Sequence, residues 1–236
     1  MSTLRNNNYK YSLVPCSVVV ASCDSYNDTW DLFFLLKERY WENCPYETYL
    51  ISETMECPYS KTINVNSQIW TKRLREALQQ IDTKYVLLML DDFFIREQVD
   101  QERIEYCLHN FQSDTITFNF EHAYRENEIS EIQGFDIQKN NQIYLNSCQP
   151  SLWDREKLIE ALAQDTDAWN WEMTLVNSKY KYMINNQGSI INTGYDSRNP
   201  IWRGVRRGKW VKRDMIDLLQ KENIILDLSK RGFENE

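Results

Sequence analysis

The 236 residues carry a formal net charge of −8, which excludes general nucleic-acid binding, since phosphate contacts need a basic surface. A chain of this length fits one large α/β domain rather than two generous ones, and no run approaches the ~20 apolar residues a membrane-spanning helix needs. Six scattered cysteines with no C-x-x-C pair read as reduced thiols of a cytosolic protein. Residues 1–16 read as an N-terminal extension, polar and Asn-rich at first, with no apolar segment of signal-peptide length. With histidine confined to His109 and His122, acid–base chemistry falls to carboxylates.

Residues 17–22, Ser-Val-Val-Val-Ala-Ser, predict a first parallel strand. A polar turn, Cys23 to Asp28, leads into a helix expected over about 29–41, with Asp28 as its cap and Trp30, Phe33, Leu36 and Tyr40 buried. Residues 48–52 predict a second strand, followed by a loop ending at Ser67, the expected cap of the next helix. Trp70, Leu74, Ala77, Leu78 and Ile81 then fall on one helical stripe. Residues 85–90 are an unbroken apolar run, the pattern of a strand buried on both faces. Such a strand cannot hold ionised carboxylates in its middle, so Asp91 and Asp92 emerge at its carboxyl end, where open α/β sheets bind ligands. Two adjacent carboxylates repel an anionic substrate unless a divalent cation lies between them. All-oxygen ligands suit Mg²⁺ or Mn²⁺, which bridge carboxylates to phosphates. The pair therefore points to a metal-dependent site for a nucleoside diphosphate compound, or, on the bland reading, to a solvated turn.

Beyond this point a helix is expected over 100–111, a strand over 115–120, and strands over 131–138 and 142–145 around an Asn-rich turn. Pro150 precedes a helix at about 154–163, and a shorter helix opens near Asp167. Residues 181–185 and 189–192 predict short strands. Arg198, Arg203, Arg206, Arg207, Lys209, Lys212 and Arg213 crowd an acid-free segment, read mostly as loop and suited to a small anion or a charged membrane face. Residues 212–221 predict a last amphipathic helix.

The order β-α-β-α-β implies a parallel sheet with right-handed crossovers. Closed by Leu90-Asp91-Asp92, and followed by Gln149-Pro150-Ser151-Leu152-Trp153-Asp154, Trp169-Asn170-Trp171-Glu172 and Arg207-Gly208-Lys209-Trp210, it resembles the GT-A glycosyltransferases. It looks most like the small bacterial enzymes that build capsular or lipopolysaccharide repeats. Leu90 stands where the family's D-x-D motif has its first Asp. The resemblance spans roughly Ser17 to Trp210. It implies an α/β fold, a single GT-A-like domain with a central mostly parallel sheet flanked by helices. Residues of about 17–120 would be its nucleotide-binding half and 121–236 its acceptor half. The implied activity moves a sugar, with inversion, from a nucleotide-diphosphate donor to a glycan or lipid-linked acceptor, using Mg²⁺ or Mn²⁺. The implied place is cytoplasmic, in peripheral contact with the inner face of the membrane.

On this resemblance Asp92 binds the metal and Asp91 lies near metal or ribose, while Ser22, Asp24 and Tyr26 face the nucleotide base. Asp24 also suits a plain turn role, and Arg73 either approaches ribose or phosphate or lies on a solvated helix face. Glu172, flanked by Trp171 and Met173, is the candidate general base. Burial would raise its pKa, an early helical turn would lower it, and the competing reading is a first-turn cap residue. Trp153 and Trp169 are either acceptor platforms or core. Arg206, Arg207 and Lys209, beside Gly204 and Gly208, suit the departing diphosphate or an anionic lipid, and Trp202 and Trp210 bracket them. The rival readings are a nucleotidyltransferase, against which the glycine-free, acidic loop at 23–26 counts, and a non-catalytic carbohydrate-binding or assembly protein.

Overall fold

The computed structural model describes residues 14–122, 127–194 and 204–234. The first half alternates through β1 (Cys16–Ala21), α1 (Asn27–Tyr40), β2 (Glu47–Ser52), β3 (Lys61–Asn64), α2 (Trp70–Leu78) and β4 (Tyr85–Leu90). There follow α3 (Gln101–His109), β5 (Thr115–His122), β6 (Asn127–Ile129), β7 (Phe135–Gln138), β8 (Ser151–Asp154) and α4 (Arg155–Ala161). The last elements are α5 (Ala168–Met173), β9 (Lys181–Asn185), β10 (Val205–Arg206), β11 (Lys209–Trp210) and α6 (Lys212–Glu222).

Strands β1 to β9 form one sheet in the order β3-β2-β1-β4-β8-β5-β9-β7-β6. Only β8 and β7 among them run against the rest, so the sheet is mostly parallel, as the early alternation predicts. Alternate residues of a strand point to opposite faces. Val18, Val20, Leu87 and Met89 accordingly join Leu32, Phe33 and Leu36 of α1 in one core. Val19, Val86 and Leu88 join Leu74, Ala77 and Leu78 of α2 in the other. The chain leaves β1 toward β2 on one side, while β4 pairs with β1 on the other. That reversal opens a crevice beyond the carboxyl ends of β1 and β4, and Asp91 and Asp92 directly follow β4.

The structure departs from the sequence reading where non-local pairing decides. β3 adds an edge strand to β2 inside the segment expected as loop. Ser67 is not the α2 cap, which is Ile69; instead its Oγ accepts the Ile69 N–H at 3.2 Å. Asp28 is not a cap either, but lies in the first turn of α1, which begins at Asn27. Residues 151–153, set just ahead of a predicted helix, form β8 between β4 and β5, and Asp154 both ends that strand and caps α4. Residues 142–145 and 189–192 lie outside the strands; Gln142 makes a single bridge with Val176. The basic loop is a hairpin: Arg207 and Gly208, at φ 51 and 75°, make the left-handed two-residue turn that joins β10 to β11.

Gly204, at φ +63°, presses on the site from this side, since a Cβ there would lie 2.4 Å from the Asp92 carbonyl oxygen and 3.1 Å from the Phe94 ring. Gly204→Ala therefore combines backbone strain with a clash against main chain, and is expected to cost about 2–4 kcal/mol of stability, read as a fall in the urea midpoint at constant slope.

Candidate active site

Two carboxylates with opposite surroundings organise the crevice. Asp91 is 4% exposed, and its Oδ2 accepts hydrogen bonds from Ser22 Oγ at 2.5 Å and Thr29 Oγ1 at 2.9 Å. Ser22 Oγ in turn accepts from Trp30 Nε1 at 2.7 Å. Asp91 thus fastens the end of β4 to the loop after β1 and to the first turn of α1. Asp92, next in the chain, has a buried Oδ1 with no hydrogen-bond partner. Burial pushes the pKa of both above the usual carboxylate range, and for Asp92 the neighbouring Asp91 charge adds to it. A buried acceptor left unpaired is costly, and a cation is the partner its chemistry asks for. Among the described residues no cluster of three or more His, Cys, Asp and Glu is arranged to hold a metal. An ion here would have Asp92 as its protein ligand, the rest of its shell coming from water and substrate oxygens, as in many Mg²⁺ sites.

Another carboxylate, Glu172, lies on α5 and shares the neighbourhood of Cys148 with Asp92. Asp167 caps that helix by accepting the Asn170 N–H at 2.8 Å, and buried Trp171 anchors it by packing on Trp70 and Trp153. The neighbouring position on a helix points elsewhere, so Glu172 faces the segment that enters β8, where its Oε1 accepts the Cys148 N–H at 2.7 Å. Glu172 is the fifth residue of a six-residue helix. It is therefore neither a first-turn residue nor a cap, and the helix end adds to burial instead of opposing it. Burial raises its pKa to about 7. Burial pushes the Cys148 thiol well up, and the charges of Glu172 and Asp92 add to it.

Other sequence candidates take different places. Asp24 does not present a free carboxylate to a base: its Oδ1 accepts the N–H groups of Glu53, Thr54 and Met55, each at 3.1 Å, and its Oδ2 accepts Thr54 Oγ1 at 2.6 Å. These bonds hold its pKa down at about 2 against desolvation. Arg73 is not on a solvated face; it is buried, donating to Glu53 Oε1 at 2.7 Å and to the Ser67 carbonyl. Arg73→Met is expected to cost about 3–5 kcal/mol, because it leaves Glu53 as a buried charge without its partner; chemical denaturation checks it.

Trp153 is 0% exposed and donates its indole N–H to Ser151, so it is core and not an acceptor platform. Trp169 is 51% exposed, edge-on to Tyr144, whose N–H donates to the Glu172 carbonyl. Arg207 and Lys209 are exposed at the hairpin tip, and Arg206 pairs with Glu234 at 3.1 Å. Arg198, Trp202 and Arg203 lie outside the described residues. Tyr26 stands beside the acidic pair, whose charge joins desolvation in pushing its phenol up to about 12.

One face of Tyr26 is covered by a residue that sequence reasoning missed. The Arg231 guanidinium lies 4.3 Å from the Tyr26 ring centre and 5.0 Å from that of Trp210, and it donates through Nε and Nη2 to both oxygens of Asp28. Its signal in the sequence, a basic pair in a short polar tail, does not distinguish it from any solvated terminus.

No protein-family profile matches the chain. No curated protein matches it either. Solved structures with a similar arrangement include the bifunctional IspDF of Campylobacter jejuni, at 11% identity and TM-score 0.42, covering 64% of this chain and 44% of that one. S. aureus TarS 1-349 aligns at 10% identity and TM-score 0.45, over 75% of this chain and 59% of its own. The same protein in complex with UDP-GlcNAc aligns at 14% identity and TM-score 0.39, over 78% and 62%. The chain thus spans less than two thirds of the length of each, and its site is read from its own geometry.

Proposed function

We propose that this chain is a GT-A-like glycosyltransferase that moves a sugar from a nucleotide-diphosphate donor to a hydroxyl of a glycan or lipid-linked glycan, with inversion. What supports the reading is two unlike carboxylates that both act on the buried Cys148: Asp92, after β4, with an unpartnered buried oxygen, and Glu172, on α5, with a pKa raised to about 7. The first suits a cation that bridges to phosphate, the second a base poised for a hydroxyl proton.

In this reading Asp92 holds Mg²⁺ or Mn²⁺, which when bound neutralises charge on the diphosphate. Tyr26, partly buried beside Arg231, would line the nucleotide's place. Ionised Glu172 takes the proton of the acceptor hydroxyl as that oxygen bonds to the anomeric carbon. The bond from that carbon to the diphosphate oxygen breaks in the same step, and the electron pair leaves with the nucleoside diphosphate. Trp169, half exposed and linked through Tyr144 to the backbone of Glu172, would stack against the acceptor ring. The exposed Arg207 and Lys209 suit an anionic acceptor or lipid surface; no helix among the described residues is long and apolar enough to cross a membrane.

A thermal-shift panel of nucleotide sugars with and without Mn²⁺ tests the proposal, since a ligand of the folded state raises its melting temperature. Stabilisation by a nucleoside diphosphate sugar that depends on metal is expected. A response to nucleoside triphosphates alone would favour the nucleotidyltransferase reading, and a response to glycans alone the binding-protein reading.

A further inference from the structure

The tail after α6 is part of the crevice wall. Trp210 donates its N–H to the Gly232 carbonyl at 3.0 Å, and Glu234 donates back to the Trp210 carbonyl at 2.9 Å, so the tail meets β11 in a single parallel bridge at Phe233. This places Arg231 between two walls that both reach the acidic pair. On one side is the loop after β1, with Ser25, Tyr26 and Asp28. On the other is the hairpin, with Gly208 and Trp210, whose leading residue Gly204 abuts the Asp92 carbonyl.

We propose that Arg231 is the fixed counter-cation of this site, a positioning residue that the C-terminal tail delivers and that sets how strongly the acidic pair binds metal and how strongly the crevice binds an anion. The inference rests on the nucleotide-diphosphate reading above. Three facts support it. Arg231 is clamped: a two-pronged bond to Asp28 and two flanking rings leave it little freedom, so its charge stays where it is. Its charge is held close to the acidic pair: its partner Asp28 is next in the chain to Thr29, whose Oγ1 donates to Asp91 Oδ2. The acids around it, Asp28, Asp91 and Asp92, outnumber it, so the site still has room for a divalent cation.

A fixed positive charge beside two carboxylates repels a metal ion and attracts the diphosphate that leaves after transfer. A purely structural clasp has a different signature, since loosening both walls weakens every ligand together. Removing the charge separates the two.

The test is calorimetric titration of the full chain with MnCl₂ alone, and with UDP at saturating Mn²⁺, for the parent, Arg231→Gln and Arg231→Lys. Arg231→Gln is expected to bind Mn²⁺ about threefold more tightly and UDP about tenfold more weakly. Arg231→Lys, which keeps the charge but loses the fork, should stay within about threefold of the parent for both. If Arg231→Gln weakens Mn²⁺ and UDP together, changes neither, or is matched by Arg231→Lys, the counter-cation role is overturned while the function reading stands. A parent that binds Mn²⁺ but not UDP removes the nucleotide reading, and the metal arm alone then decides Arg231. A parent that binds neither overturns both.

Discussion

Glu172→Gln is expected to lower kcat for sugar transfer by about 10²–10⁴-fold, the usual contribution of a positioned general base, while leaving the affinity for donor within about threefold. Gln keeps an oxygen to accept the Cys148 N–H, so the loop into β8 stays in place and only the proton acceptor is lost. In the parent, activity should rise with pH and level off above the Glu172 pKa of about 7, because only the ionised form takes a proton. The same group gives a stability signature of known sign. Its folded pKa lies above the unfolded value of about 4.3, so the native state holds the proton more tightly than the unfolded chain. Stability is therefore lost as pH rises from the ordinary carboxylate range to about 7, and is constant above it. Glu172→Gln should be more stable than the parent by about 1–3 kcal/mol at pH 8 and unchanged at pH 4. Paired urea melts at the two pH values read this directly.

Asp92→Asn carries the second large effect, and its two parts have opposite signs. Metal-dependent turnover of the donor should fall below about 1% of the parent, since the buried, unpartnered oxygen proposed to hold the ion loses its charge. Folding should improve. Burial and Asp91 raise the Asp92 carboxyl, so at neutral pH the native state holds a proton that the unfolded chain releases, and the amide removes that burden. A rise of a few degrees in Tm at pH 8 that shrinks at pH 4 is expected. Gains in stability from losing a functional carboxylate are the familiar cost of a site built for ligands. A variant that stays active and no more stable would mean that Asp92 neither holds an ion nor burdens the fold.

The parts of this molecule that declare themselves in sequence are those whose partners are interchangeable. Six apolar residues at 85–90 make a buried strand whatever lies beside them, and the stripe that opens at Trp70 makes a helix against any apolar face, although the helix ends at Leu78, short of Ile81. Asp167 before Ala168 marks a helix start locally, and 181–185 forms the strand expected there. What is hidden depends on a particular distant partner. The Ser-Leu-Trp of β8 lies just ahead of a predicted helix, and only its ladders to β4 and β5 make it a strand. Four residues, Lys61–Asn64, become β3 only because β2 offers a free edge. Trp153 and Trp169 look alike in the sequence, yet one is sealed between Trp171 and Tyr182 while the other faces out. Asp91 and Asp92 read as a matched pair, and what separates them is where Ser22 and Thr29 happen to lie. Arg231 is the extreme case, since its meaning comes from the distant Asp28 and Tyr26.

The central claim is that one carboxylate after β4 holds a divalent ion against the diphosphate of a nucleotide. Electron paramagnetic resonance of Mn²⁺ titrated into the protein with UDP addresses it most directly, because bound and free ion give separate signals. The parent should sequester Mn²⁺ in the presence of UDP, and Asp92→Asn should leave it free under the same conditions. Equal sequestration by both, or none by the parent, would contradict the account.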